Sequence, residues 1–106
     1  MCSPVRSIPL AEVLRDFSPT DMIPGGTHEG VSNPELWRLV FGEIEREHEA
    51  FAPAYWAAFK RSVAKRQRVP IVLHGTQVSN GHHRVWALHA SGKSQVRVRE
   101  SVTASP

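Results

Sequence analysis

Residues 70–90 read Pro70-Ile71-Val72-Leu73-His74-Gly75-Thr76-Gln77-Val78-Ser79-Asn80-Gly81-His82-His83-Arg84-Val85-Trp86-Ala87-Leu88-His89-Ala90, and this stretch decides the fold. Ile71 to Leu73 is an apolar run, two of its three residues β-branched, opened by a proline, which is strand chemistry. His74-Gly75-Thr76 makes a turn, and Gln77-Val78 returns. From about Gly81 to Ser91 the pattern becomes helical, and Gly92 is well suited to end it. Strand, turn, strand and helix thus follow one another directly.

The junction Asn80-Gly81-His82-His83-Arg84 carries the chemistry. The first N–H groups of a helix lack intrahelical partners, and the helix dipole adds partial positive charge there. Gly81 would let a ligand approach the backbone closely. Arg84 offers a planar fork for two phosphate oxygens. His82 and His83 add donors whose charge changes near neutral pH. An anion, and a phosphate in particular, suits this junction. The bland alternative has Arg84 pairing with a carboxylate and both histidines simply exposed.

Working outward, Gln95 to Glu100 alternates polar and apolar residues, as an edge or half-buried strand does. Upstream, Pro53 opens a helix whose apolar stripe is Tyr55, Trp56, Phe59 and Val63. Its basic end holds Lys60, Arg61, Lys65, Arg66 and Arg68, a candidate nucleic-acid patch. These cations could equally balance the acidic run Glu43, Glu45, Glu47 and Glu49. That run ends a helix opened by Ser32-Asn33-Pro34-Glu35, with Leu36, Trp37, Leu39, Val40, Phe41 and Ile44 at helical spacing. Trp37 and Trp56 each sit inside an apolar stripe, so core packing is expected of both, not base stacking. Val5 to Ile8 reads as a short strand, Leu10 to Phe17 as a helix, residues 18–32 as a long surface loop, and Val102 to Pro106 as a frayed tail.

The pattern Pro70-Ile71-Val72-Leu73, a turn, Val78 through Leu88, Gly92 and Val96-Arg97-Val98 resembles the ParB/sulfiredoxin superfamily. Ser7 to Leu14 is similar to the opening strand and short helix of ParB-type domains, and Tyr55 to Pro70 to the helix before their next strand. Roughly half the chain is covered, and residues 17–50 have no clear counterpart. The resemblance implies an α+β fold: a small mixed β-sheet flanked by helices. It implies one ParB/sulfiredoxin-like domain over residues 1–106, with a variable inserted loop and helix at about 18–50 that could meet a protein partner.

The family suggests three activities. Sulfiredoxins carry Gly-Cys-His-Arg, whereas His82 stands here at the nucleophile position and Cys2 is distant, so that reaction is not expected. ParB proteins resemble Gly-Glu-Arg-Arg-x-Arg-Ala. Gly81, Arg84 and Ala87 match, while His82, His83 and Trp86 depart, which weakens the triphosphate grip. ParB-like nucleases and nucleotide-dependent kinases carry Asp-Gly-His-His-Arg, the nearest local match, with Asn80 in place of the aspartate. Asparagine cannot serve as a base, which favours binding over catalysis. The resemblance therefore implies a domain that binds nucleotide or nucleic-acid phosphate through Asn80, Gly81, His82, His83 and Arg84. An accessory role in a phage or mobile element goes with it, with CTP or ATP and Mg²⁺ as the cofactors to consider and DNA as a partner. Were it a nuclease or nucleotide phosphohydrolase instead, His83 and Glu12 would be the catalytic candidates. A third reading keeps the fold as a protein-interaction module without a ligand.

Composition sets the outer limits. The 106 residues fit one small domain, and 41% hydrophobic residues suffice for a core. The net charge of +3 favours a polyanionic or phosphorylated partner. Cys2 is the only cysteine, so no internal disulfide forms. No apolar run spans a bilayer and no signal peptide is evident, so a cytoplasmic location without membrane contact is expected. The spacing of the six histidines gives no zinc motif, and no dedicated metal site is expected. Gly92-Lys93-Ser94 mimics the end of a P-loop but follows a helix and lacks the earlier glycine, so it reads as a C-cap.

Overall fold

The computed structural model describes residues 4–19 and 30–101. The order is β1 (Arg6–Pro9), α1 (Leu10–Asp16), α2 (Asn33–Ala50), α3 (Pro53–Lys65), β2 (Ile71–His74), β3 (Gln77–Asn80), α4 (His82–Ala90) and β4 (Gln95–Glu100). The result is an α+β domain built on one mixed four-stranded sheet in the order β1-β4-β2-β3. Much of the expected loop (20–29) and the tail from Val102 lie outside the described residues.

The hairpin β2–β3 forms as the turn chemistry requires, with Leu73 opposite Val78 and Gly75 at φ 61°. β4 then pairs parallel with β2 and antiparallel with β1. It is the half-buried kind of strand and lies inside the sheet, between two partners. Val96 and Val98 point into the core, and Arg97 is exposed on the other face. Its alternation reflects one covered face, not an edge position. The edge at β3 is partly closed from afar: Ser18 N–H donates to the Thr76 carbonyl, and Val78 N–H to that of Ser18.

The helices cover one face of the sheet. The core joins Ile8, Val13, Val40, Ile44, Ile71, Leu73, Val78, Val85, Leu88, Val96 and Val98. On α2 the buried stripe is Leu36, Trp37, Val40, Phe41, Ile44 and His48. Leu39, expected on that stripe, is 45% exposed because it falls between its turns. Trp37 is core as expected, and its Nε1 donates to the Phe17 carbonyl, which ties the end of α1 to α2. Pro34 starts α2 as expected, although Ser32 gives no side-chain cap.

Gln67 holds the segment between α3 and β2. It is buried, and its side chain bonds the backbone N–H and carbonyl of Arg97 at 2.8 and 2.9 Å. It continues the ladder beside β4 where β2 has not yet begun. Among the described residues, no helix is long and apolar enough to cross a membrane.

The joint between β3 and α4 is the tightest point. Gly81 has φ 106°, a left-handed conformation that side chains strain to adopt. A Cβ there would lie 2.7 Å from Ile71 Cγ2 and 3.1 Å from Ile71 Cα. Glycine is therefore demanded by the contact between α4 and β2. Gly81→Ala should destabilise the domain by about 2 kcal/mol or more, since strain of this kind costs ~1–3 kcal/mol before the clash is added. Urea unfolding of the two proteins measures it, and an unchanged midpoint would contradict the packing described.

Candidate phosphate site and its aromatic wall

Asn80 ends β3, Gly81 turns the chain, and α4 begins at His82. No side chain caps this helix start. Arg84 and Val85 N–H both donate to the Gly81 carbonyl, at 2.9 and 3.0 Å. A cleft of about 250 Å³ opens here, lined by Tyr55, Trp56, Phe59 and the run Asn80 to Arg84. The ion pairs among the described residues are Arg6–Glu100, Arg15–Asp16 and Arg46–Glu43, so Arg84 is not consumed by a carboxylate. It remains half-buried at the cleft wall.

Sequence reasoning placed five residues here, and the structure divides their roles. Asn80 and Arg84 face the cleft region. Gly81 is explained by the contact of its missing Cβ with Ile71, which lies on the sheet side. His82 turns inward, is 7% exposed, and lies 5.8 Å from the Trp37 ring. Its ring packs inward while the residue still borders the cleft. His83 points outward and is half-buried. Glu12 sits in the first turn of α1 and is not among the residues lining the cleft.

The histidine His83 belongs to a ring cluster that the sequence did not announce. It stacks on Trp56 at 4.9 Å and on His48 at 5.4 Å, and His48 stacks on Trp56 at 4.0 Å. Trp86 meets His48 edge-on at 4.6 Å. Trp56 is thus no core residue. Its stripe on α3 faces a cavity, with Tyr55 62% exposed beside it and only Val63 of the helix fully buried. His48 was missed because it lies in an acidic run. The available signal was its spacing, four residues beyond Ile44 on the buried stripe.

Phe51, 71% exposed, follows α2, and the chain turns sharply at Ala52, φ 54° and ψ 54°, into α3. A second cleft of about 480 Å³ lies here, lined by Glu47, His48, Phe51, Trp56 and His83. Trp56 and His83 are common walls of both clefts. A third hollow, bounded by Glu45, Glu49, Lys60 and Trp86, lies on the other side of His48. Lys60 Nζ sits 5.8 Å from the centre of the Trp86 ring, and Trp86 Nε1 donates to Glu45 at 3.3 Å.

The other cations of the candidate nucleic-acid patch, Arg61, Lys65, Arg66 and Arg68, are exposed. None forms an ion pair with Glu43 to Glu49 among the described residues, since Glu43 pairs with Arg46 of its own helix. Lys60 alone of the five shares a hollow with Glu45 and Glu49. Among the described residues no group of three or more potential metal ligands converges.

Burial lowers the pKa of His48, nearby His83 lowers it further, and Glu47 and Glu45 partly oppose this. Burial likewise lowers His83, with Glu47 opposing and Arg84 reinforcing. Both rings are therefore neutral at neutral pH, and His83 is a proton acceptor more than a cation. Both ring nitrogens of His48 are buried with no hydrogen-bond partner among the described residues. Compared with models of protein families, with curated proteins and with solved structures, the chain finds no match.

The depressed histidines set a pH dependence. Below the ordinary histidine pKa of 6.5 the unfolded chain takes up protons that the folded chain refuses. Stability is thus full above that value and falls as the pH drops below it. Melting temperature should decline between about pH 7.5 and about pH 5, and His48→Phe should flatten the decline. An identical slope in the variant, followed by circular dichroism, would contradict a buried neutral His48.

Proposed function

We propose that this chain is a ParB/sulfiredoxin-like domain that binds the phosphate of a nucleotide or nucleic acid at the start of α4. The observation that carries this reading is the cleft joining Asn80, Gly81 and Arg84 to Tyr55, Trp56 and Phe59. An arginine without a carboxylate partner among the described residues stands beside an uncapped helix start, and aromatic rings form the opposite wall. Such a place suits a ligand with an anionic end and a flat end. In this reading Arg84 grips phosphate oxygens with its fork, the helix start adds donors and dipole, and Asn80 donates from its amide. His82 and Gly81 hold the geometry. The order strand, hairpin, glycine, helix, strand supports the family reading. The exposed cations at the end of α3 would favour a nucleic acid over a free nucleotide if they lie on its path.

An enzymatic reading draws on one further observation: His83, neutral and half-buried, borders the same cleft. A neutral imidazole beside a bound phosphoester can take a proton from water. Nothing comparable supports Glu12 in this role, given its place on α1.

Thermal shift tests the binding. A ligand that prefers the native state stabilises it by about 2.7 kcal/mol at a hundredfold excess over Kd, which raises Tm by roughly ten degrees. Nucleoside triphosphates or short DNA should produce such a shift, and Arg84→Ala should weaken binding by about tenfold or more. Absence of a shift with every nucleotide and DNA tried would leave a protein-interaction module on the same scaffold. Turnover with a divalent ion that His83→Ala abolishes without loss of binding would establish the enzyme; no turnover with any divalent ion would remove it.

A further inference from the structure

The larger cleft lacks Gly81 and Arg84 from its lining, yet it shares two walls with the cleft that holds them. Trp56 and His83 separate the two spaces, so a ligand held by Arg84 on one side has an adjoining hollow on the other. The hollow, about 480 Å³, falls in the size range of small-molecule sites, ~300–1,000 Å³. Its walls are mostly flat rings. Phe51 is 71% exposed, so its ring is open to stack on a ligand. Its one charged side chain is the Glu47 carboxylate. His48 forms a buried polar wall whose two ring nitrogens have no partner among the described residues.

We propose that this cleft receives the base of the ligand whose phosphate meets Arg84, and that Glu47 selects guanine. The inference rests on the phosphate reading of the Gly81–Arg84 site.

The chemistry of the carboxylate makes the choice. Ionised, it only accepts hydrogen bonds, through two oxygens side by side. Guanine presents two neighbouring donors, N1–H and the N2 amino group, which fit both oxygens at once. Adenine and cytosine each present one amino group next to a lone pair, which the second carboxylate oxygen repels. Uracil and thymine present one N–H between two carbonyls, and both carbonyls face repulsion. A paired contact of this kind discriminates by roughly tenfold or more. Phe51 and Trp56 supply stacking that any base accepts, so they set affinity and not choice. The adjoining edge of guanine carries O6 and N7, acceptors for a neutral imidazole N–H.

Isothermal titration with GTP, ATP, CTP, UTP and inorganic tripolyphosphate tests this on the full chain. Glu47 and Phe51 are both exposed, so Glu47→Gln and Phe51→Ala are expected to fold. GTP should bind at least about tenfold tighter than the other nucleotides and than tripolyphosphate. Glu47→Gln should erase that preference, because its amide donates toward N1–H. Phe51→Ala should weaken all nucleotides and leave tripolyphosphate unchanged. Equal binding of all four nucleotides, preference for another base, or a preference that survives Glu47→Gln would overturn the base inference while the phosphate site stands. If neither tripolyphosphate nor any nucleotide binds, the phosphate reading and the base inference both fail.

Discussion

The contact between Gly81 and Ile71 holds this domain in its working shape. At that point the hairpin ends, the helix begins, and the helix comes down on the strand it has just left. No side chain fits between them. The chain turns in a left-handed conformation there, and α4 lays Val85, Ala87 and Leu88 into the core. The start of the helix is thereby left open on the side where α3 passes. Arg84 owes its place to a steric requirement two elements away.

The second constraint is the meeting of α2, α3 and α4 around His48. A histidine with no hydrogen-bond partner among the described residues, set in an aromatic nest, is an expensive core residue, since orphaned buried polar groups cost ~1–3 kcal/mol. An apolar ring would pack there more cheaply. The nest instead keeps Trp56 and His83 stacked and half-exposed, as walls between two clefts. The strained turn at Ala52 brings Phe51 and Tyr55 to the same region. His48 and Ala52 are thus two neighbouring places where the geometry costs stability.

The local elements were legible because each carries its own punctuation. Pro34 and Pro53 open helices, Gly75 turns the hairpin, and Gly81 and Gly92 bracket α4. The rest depends on contacts between distant residues. The inner place of β4 follows from pairing with β1, far away in the chain, which local alternation cannot report. The role of Gln67 arises only when Arg97 arrives beside it. Periodicity identified Trp56 as part of an apolar stripe but could not distinguish a core from the wall of a cleft. It marked the helix start at Gly81 and His82 but could not report that His82 packs against Trp37 while His83 stacks on Trp56.

Backbone amide spectra, recorded while a nucleotide or tripolyphosphate is added, probe the open helix start most directly. The largest shifts should fall at residues 80–84, with the Trp56 indole moving only when a base is present. Shifts confined to the cations between Lys60 and Arg68, or no shifts at all, would mean that the start of α4 is a structural joint and holds no anion.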